Sequence, residues 1–170
     1  MNTELLKEAT WDEHKRAERT EFMRKMITGD YDERLWRDHL TNLYMLSVFL
    51  EVRVPQLGQM GLTRSGHIHR DLQGMYGRIA PSTYELVNRL TQLDDTQVLA
   101  HVYVRWLADL NGGKFIAKNC AFPHSYLDWE DTVESIAKVK SLIAPIQDQI
   151  IYEAKLAFDY AKRTGDELLL

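Results

Sequence analysis

Apolar residues recur every three or four positions along most of the chain, and alternating strand patterns bounded by turn residues are nearly absent. This spacing is typical of helices that bury one face, so it predicts an all-α fold. The chain shows no internal repeat, no low-complexity segment and no linker. We therefore expect a single domain over residues 1–170.

The pattern also predicts where individual helices begin and end. Asp30 and Glu33 have the spacing of a capping box and predict the start of the longest of the first helices. Ser82 and Glu85 have the same spacing and predict another start. The predicted helices cover about residues 3–18, 20–28 (stopped by Gly29), 30 to Pro55, a short piece within 56–80 after a loop, ten residues after Pro81, 94 to the glycine pair, a short one from about 131, and a longer one through 150–163.

Two adjacent glycines, Gly112 and Gly113, follow the apolar run "RWLADLN". One glycine is enough to cap a helix, and the apolar pattern resumes at once in "KFIAKNCAF". The pair therefore either closes the helix or lies within a bent one, where each glycine costs about 1 kcal/mol relative to alanine. The usual gain is close approach of the backbone to a flat ligand or to another helix.

Composition narrows the class of protein. The net charge of −4 and the pI near 5.9 leave no electrostatic footprint for nucleic acid or for an anionic membrane. Cys120 is the single cysteine, so no intrachain disulfide can form and a reducing compartment is favoured. The amino terminus is charged where a signal peptide would be apolar. We expect a soluble, cytoplasmic protein without nucleic-acid or membrane partners.

A first stripe of candidate chemistry lies on the predicted helix 3–18. A carboxylate one turn from an imidazole can hold one ring N–H and leave the other nitrogen free for a metal. A surface His–Glu pair is the ordinary alternative. No histidine has the Glu-x-x-His spacing of a di-iron bundle, so a lone histidine ligand suggests haem. The residues of this stripe are Lys7, Trp11, His14 and Glu18.

A second stripe lies on the helix that carries the glycines. His101, Arg105, Ala108 and Gly112 share one face, with Asp109 just beside it. Small residues on that face could form a platform for a planar disc, while the charged pair organises water near its metal. The alternative is a helix-packing seam with an ordinary surface carboxylate and guanidinium.

The two stripes together resemble the haem oxygenases, and in particular short, soluble members of microbial or viral type. The resemblance rests on "LKEATWDEHKRAERTEFMRK" at 6–25 and "VLAHVYVRWLADLNGGK" at 98–114, and more weakly on "IIYEAKLAF" at 150–158. It implies an all-α, single-domain bundle that holds haem between a proximal helix and a kinked distal helix. It also implies that haem is both substrate and cofactor, with no other metal.

The resemblance assigns the proximal side and the edge of the haem pocket. His14 matches the axial ligand of the haem iron, and Glu18 matches the carboxylate that hydrogen-bonds this histidine. Lys7 and Tyr103 match positions that hold the haem propionates. Trp11 stands where mammalian members carry a second basic residue.

The resemblance also assigns the distal side. Arg105 and Asp109 match residues that support an ordered water network for proton delivery. Gly112 and Gly113 match the glycines that let the distal helix kink and cross closely over the macrocycle. Ala108 lies in the same haem-facing motif, where the family usually has glycine, so one methyl group is added there.

Two further positions depart from the family's distal network. Ser47 and Ala161 replace a tyrosine and an asparagine of that network. Outside the network, Asn111 replaces a serine that is common in the family. We expect proton delivery to differ in detail from that of the family.

The implied activity is cleavage of haem at a meso carbon to biliverdin, carbon monoxide and ferrous iron, with dioxygen and external electrons. The implied partners are an electron donor such as a ferredoxin or a flavoprotein reductase, and a downstream bilin reductase. Two alternatives stay open: a haem-binding protein of the same fold without turnover, and a helical scaffold or cofactor-free enzyme of the same fold.

Overall fold

The computed structural model describes residues 2–170, and this part of the chain is helical without any strand, which confirms the all-α prediction. No helix within it combines the length and the apolar character needed to cross a membrane. The helices are α1 (Glu4–Ala9), α2 (Trp11–Glu18), α3 (Glu21–Thr28), α4 (Glu33–Arg53), α5 (Gln56–Gln59), α6 (Ser65–Leu72), α7 (Pro81–Leu90), α8 (Asp95–Asn119), α9 (Thr132–Ile143) and α10 (Ile151–Leu168), with 3₁₀ segments at Ser125–Leu127 and Ala144–Gln149.

The predicted helix over residues 3–18 is wrong, because the chain leaves helical geometry at Thr10 and divides it into α1 and α2. Thr10 has φ −110° and ψ 10°, and its buried hydroxyl donates a hydrogen bond to a backbone carbonyl one turn earlier. Such a bond from side chain to backbone competes with regular helix geometry. Lys7 therefore lies on α1 while His14 lies on α2, and the first stripe is not one continuous helix face.

The start of α4 differs from the predicted capping box at Asp30. The helix begins at Glu33, and its cap is Asp32, whose carboxylate accepts a hydrogen bond of 2.9 Å from the backbone N–H of Leu35. Asp32 satisfies an N–H group of the first turn that would otherwise lack a partner. The predicted stop before α4 is confirmed, since Gly29 caps α3 in the left-handed conformation with φ +78°.

The predicted capping box at Ser82 is also wrong. Helix α7 begins one residue earlier, at Pro81, where a proline needs no N–H partner and its fixed φ suits the first helical turn. The Ser82 hydroxyl is buried and instead shares a 2.7 Å hydrogen bond with Thr164 on α10. Glu85 pairs with Arg163 on the same helix. A tertiary contact has therefore taken the residues that would have formed the local cap.

Helix α8 runs through both glycines to Asn119, so the glycines do not cap it. Neither glycine has a positive φ. A Cβ placed on Gly112 would have no atom within 4 Å outside its own helix backbone and chain neighbours, whereas one on Gly113 would lie 2.9 Å from Cδ2 of Leu127. Gly113 therefore allows close packing of the 3₁₀ segment on α8, while Gly112 faces open space.

Helix α10 has the central place in the packing. It contacts α2, α7 and α8, and α8 packs in addition against α9 and α3. Helices α2 and α8 both lie against α10 but do not pack closely against each other. The proximal and distal stripes are thus held by a common third helix.

The two glycines of α8 are expected to respond differently to alanine. Gly112→Ala should raise the free energy of unfolding of the haem-free protein by up to about 1 kcal/mol, because alanine favours the helix and meets no atom. Gly113→Ala gains the same propensity but must displace Leu127, so it should be the less stable of the two variants. Urea unfolding of both proteins measures the difference. A Gly112→Ala protein less stable than the wild type would contradict the open space at that position.

Candidate functional site

The imidazole of His14 is held on α2 by the carboxylate one turn later. His14 Nε2 lies 2.7 Å from Oε1 of Glu18, and the other ring nitrogen makes no hydrogen bond to a described residue. The His14 side chain is 34% exposed. The site therefore presents a partly exposed imidazole with one ring nitrogen bonded to a carboxylate and the other without a hydrogen bond among the described residues.

Two aromatic rings fix the plane of this imidazole. The ring of Phe158, on α10, stacks on His14 with centroids 5.1 Å apart and an angle of 12° between the planes. The ring of Trp11 meets His14 edge-on at 5.3 Å and 77°. Phe158 is buried, so α10 provides a rigid surface for the histidine. The hydrogen bond and the stack together leave the imidazole little rotational freedom.

Helix α8 contacts the amino-terminal part of the chain in two regions, at Tyr103 and towards its end, where it packs against α3. In its first half, Tyr103 lies beside Thr10. Burial raises the pKa of this tyrosine, and the hydrogen bond with Thr10 opposes part of that effect. At its end, the side-chain amide of Asn119 donates a 2.8 Å hydrogen bond to the carbonyl of Ile27 on α3. Sixteen residues of helix separate these points, a span of about 24 Å.

The part of α8 between these two contacts is open on one side. Ala108 is exposed, and no neighbouring atom lies within 4 Å of the position that a Cβ on Gly112 would take. A stretch of helix with small side chains, anchored at both ends and free in between, has the shape required to lie against a planar ligand.

The second stripe is not one uniform face, which corrects the prediction for His101. This residue is 1% exposed and lies in the core, where its Nε2 is 2.8 Å from Oε1 of Glu153 on α10. Arg89 on α7 donates two hydrogen bonds, of 2.8 and 2.7 Å, to the same carboxylate. Burial raises the pKa of Glu153, but the bonds from Arg89 and His101 outweigh it and lower the pKa to about 2. His101 therefore anchors α8 to α10.

A small cavity of about 10 Å³, room for about one water molecule, lies behind the second stripe. Arg105 and Asp109 line it from α8, and Ser47 lines it from α4. Nε and Nη2 of Arg105 are buried and have no hydrogen-bond partner among the described residues. A buried donor without a partner costs about 1–3 kcal/mol, so this cavity favours an occupant that accepts hydrogen bonds. The remaining lining residues are Leu43, Leu46, Leu50, Arg64 and Trp106.

One carboxyl group of the cavity, that of Asp109, has a pKa close to neutral pH. Burial raises the pKa of Asp109 to about 7, although Arg105 and Arg64 both act to lower it. Burial also lowers the pKa of Arg105, an effect that the carboxylate opposes. On α4, burial and then the charge of Arg105 lower the pKa of His39 to about 3, so this imidazole is neutral. Asp109 is thus the group here that can both hold and release a proton near pH 7.

Three contacts of the site were not predicted from the sequence. Arg64 reaches the cavity from the loop before α6, while Glu153 and Phe158 reach the two stripes from α10. All three are distant in sequence from the residues that they contact, so no helical spacing links them. The block "IIYEAKLAF" contains Glu153 and Phe158, but its pattern gives no indication of which residue each one touches.

The raised pKa of Asp109 makes a prediction for stability in the haem-free protein. Its ordinary pKa is 3.8, so between about pH 4 and pH 7 the folded chain keeps a proton that the unfolded chain has lost. The contribution of Asp109 to stability therefore falls as the pH rises through this range. Asp109→Asn removes the effect and should raise the free energy of unfolding by about 2–4 kcal/mol above pH 7, and by little at about pH 4.

Urea unfolding of both proteins at a series of pH values measures this difference. An equal difference at all pH values would mean that the carboxyl titrates normally in the folded chain.

The sequence of this chain also matches known proteins. The family model described as heme oxygenase matches residues 1–157. "Heme oxygenase 1" of Rattus norvegicus is 31% identical over 136 residues, which cover 68% of this chain and 47% of the rat protein. "Heme oxygenase" of Guillardia theta is 26% identical and matches 96% of this chain and 84% of its own length. The chain spans about half the length of the rat relative.

A solved structure supports the same fold. Heme oxygenase-1 of the cyanobacterium Synechocystis, crystallised in complex with heme, superposes with a TM-score of 0.81 at 23% identity. The superposition covers 98% of this chain and 91% of that one. Since the family model matches nearly the whole sequence and the helical fold agrees with it, the chain belongs to the heme oxygenase family.

Proposed function

We propose that this protein binds haem and opens the macrocycle at a meso carbon, which yields biliverdin, carbon monoxide and ferrous iron. The observation that carries the proposal is the His14–Glu18 pair, at 2.7 Å on α2, in a chain of the heme oxygenase family. When bound, haem supplies the iron at which dioxygen is activated and is itself the molecule that is oxidised. The protein's own residues orient haem, control access and move protons.

The proximal side suits an iron ligand. His14 would bind the iron through the ring nitrogen that Glu18 does not occupy, and Glu18 would hold the other ring N–H. Phe158 would keep the imidazole plane fixed against α10. A neutral imidazole donates less electron density than a thiolate, which suits oxidation of the macrocycle rather than early cleavage of the O–O bond.

The distal side suits a flat molecule. The open stretch of α8 at Ala108 and Gly112 would lie against the macrocycle, where side chains would otherwise keep the backbone away. Gly113 supports this role indirectly, because it lets the 3₁₀ segment pack closely behind the helix. Lys7 on α1 is exposed, and it would pair with a propionate at the edge together with Tyr103.

Asp109 would supply protons through water in the distal cavity. Its pKa of about 7 allows it to give up a proton at neutral pH and to take one back from solvent. Arg105 would hold that water with the two buried nitrogens that lack protein partners. The family's tyrosine is replaced here by Ser47, a shorter side chain that lines the cavity.

The reaction consumes electrons, so we propose an external donor such as a ferredoxin or a flavoprotein reductase. A bilin reductase would take the product onward. We also propose a cytoplasmic location, which suits the free thiol of Cys120.

A second candidate function is haem binding without turnover. Ala108 favours it, because its methyl group lies on the open stretch of α8 where the resemblance leads us to expect glycine. That methyl group would shift the macrocycle relative to Asp109. This candidate and the proposed oxygenase give the same haem spectrum and differ only when electrons and dioxygen are supplied.

The proposed function is tested by titration of the purified protein with hemin, followed by reductant and air. We expect a shifted Soret band in the wild type that gives way to biliverdin absorption. His14→Ala should lose the axial ligand and with it the wild-type spectrum, and turnover should fall by at least about 100-fold. His69→Ala is the matched control, because His69 is an exposed histidine on α6, outside the candidate site.

Each result distinguishes one candidate. A Soret band that persists without biliverdin would leave the binding protein as the function. An unshifted hemin spectrum would exclude both haem candidates. Wild-type haem coordination in the His14→Ala protein would remove this histidine from the site.

A further inference from the structure

Arg64 is a buried charged residue that the residue assignments above leave without a function. It lies in the loop between α5 and α6, and it is 7% exposed. Its backbone N–H donates a 2.9 Å hydrogen bond to the carboxylate of Glu51 on α4. The next residue, Ser65, donates to the same carboxylate from its backbone and its hydroxyl. Glu51 thus fixes the loop, and with it the origin of the arginine side chain.

The guanidinium group of Arg64 is fixed as firmly as its backbone. Its Nη1 donates hydrogen bonds of 2.9 Å to the carbonyl of Tyr126 and 3.4 Å to that of Asp128. Its plane lies over the ring of Trp129, with 3.6 Å from Cζ to the ring centroid. An arginine that stacks on an aromatic ring and donates to carbonyls loses little further freedom when it binds a ligand.

One buried donor of this group is left over. Nε of Arg64 is buried without a hydrogen-bond partner among the described residues, and the side chain lines the same cavity as Arg105 and Asp109. Two guanidinium groups with partnerless buried donors therefore meet one carboxyl group around a cavity of about 10 Å³, enough for about one water molecule. Arg64 reaches this space from the loop before α6, whereas Arg105 and Asp109 reach it from α8.

We propose that Arg64 is a positioning residue of the distal cavity, whose Nε–H, together with Arg105, orders the water through which Asp109 exchanges protons. The inference rests on the proposed function for its catalytic meaning, but the coupling between Arg64 and Asp109 exists without haem. Arg64 and Asp109 influence each other's charge: the carboxylate raises the pKa of the arginine, and the arginine lowers that of Asp109. In both cases burial is the larger effect and acts in the opposite direction.

Other charged and titratable groups around the pair come from five parts of the fold and stay unchanged in the test. They are Arg105 on α8, Glu51 and His39 on α4, His67 on α6, Tyr126 in the 3₁₀ segment, and Asp128 after it.

The test uses Arg64→Met, which keeps much of the side-chain volume but removes the charge and every donor. In the haem-free protein, carbon-13 NMR of the Asp109 carboxyl should show its pKa rise by about one pH unit, because an opposite charge nearby favours the ionised form. Arg70→Met is the control, an exposed arginine on α6 that should leave the Asp109 titration unchanged. A folded Arg64→Met protein with the wild-type Asp109 pKa overturns the proposal.

Arg64→Lys keeps the test decisive if the methionine variant does not fold. Lysine keeps the positive charge but has no N–H at the Nε position, so the Asp109 pKa should stay close to that of the wild type. Biliverdin formation by this variant should fall about 10-fold, with the haem affinity unchanged. An unchanged rate in Arg64→Lys would overturn the role of the Nε donor.

The pH profile separates a positioning role from a purely structural one. In Arg64→Met the alkaline limb of biliverdin formation should move to higher pH by as much as the Asp109 pKa has risen. A variant that is merely less stable would lose activity without such a movement, and that result would count against the proposal. If the wild type itself forms no biliverdin, the proposed function fails, while the NMR titration still decides the coupling.

Discussion

Both sides of the candidate haem site are held by contacts with one helix, α10. Phe158 stacks on the imidazole of His14, and Glu153, five residues earlier on the same helix, holds His101 of α8. Helices α2 and α8 do not pack closely on each other, so their contacts with α10 help to set their separation, together with the contacts of Tyr103 and Asn119 with the amino-terminal part of the chain. An aromatic stack and a buried, charge-assisted hydrogen bond are both directional, so they hold the two sides at a defined distance.

This arrangement assigns different tasks to residues that the helical spacing groups together. His101 and Arg105 are one turn apart on α8, yet the first ties the helix into the core and the second lines the distal cavity. Gly112 and Gly113 are adjacent, yet one faces open space and the other accepts Leu127 against its backbone. Successive side chains of a helix point about 100° apart, so one of two adjacent residues can face the open side of the helix while the other packs against the protein.

The distal cavity combines buried charges in a way that costs stability. Arg105 keeps two donors without protein partners, and Asp109 is buried so far that its pKa rises to about 7. A chain selected only for stability would avoid both features, since each buried polar group without a partner is unfavourable. Their occurrence in one small space beside the open stretch of α8 supports the proposed role of this space in proton transfer.

Local patterns predicted most of the helices but not their junctions. The end of α3 at Gly29 and the ten-residue length of α7 agree with expectation, because backbone freedom and apolar periodicity act over a few residues. The break at Thr10 and the tertiary role of Ser82 do not, because a hydroxyl can bond either to its own turn or to a distant helix. Spacing alone cannot decide between these two partners.

The sequence by itself determined the helical class, the His14–Glu18 pair and the positions of Arg105, Asp109 and the two glycines, since each follows from residue type and the helical repeat. Only the tertiary structure decided that Phe158 orients the histidine, that His101 lies in the core and that Arg64 enters the distal cavity. These contacts join residues dozens to more than a hundred positions apart. Such contacts depend on how whole helices pack, and packing responds to the summed shape of many side chains rather than to any short motif.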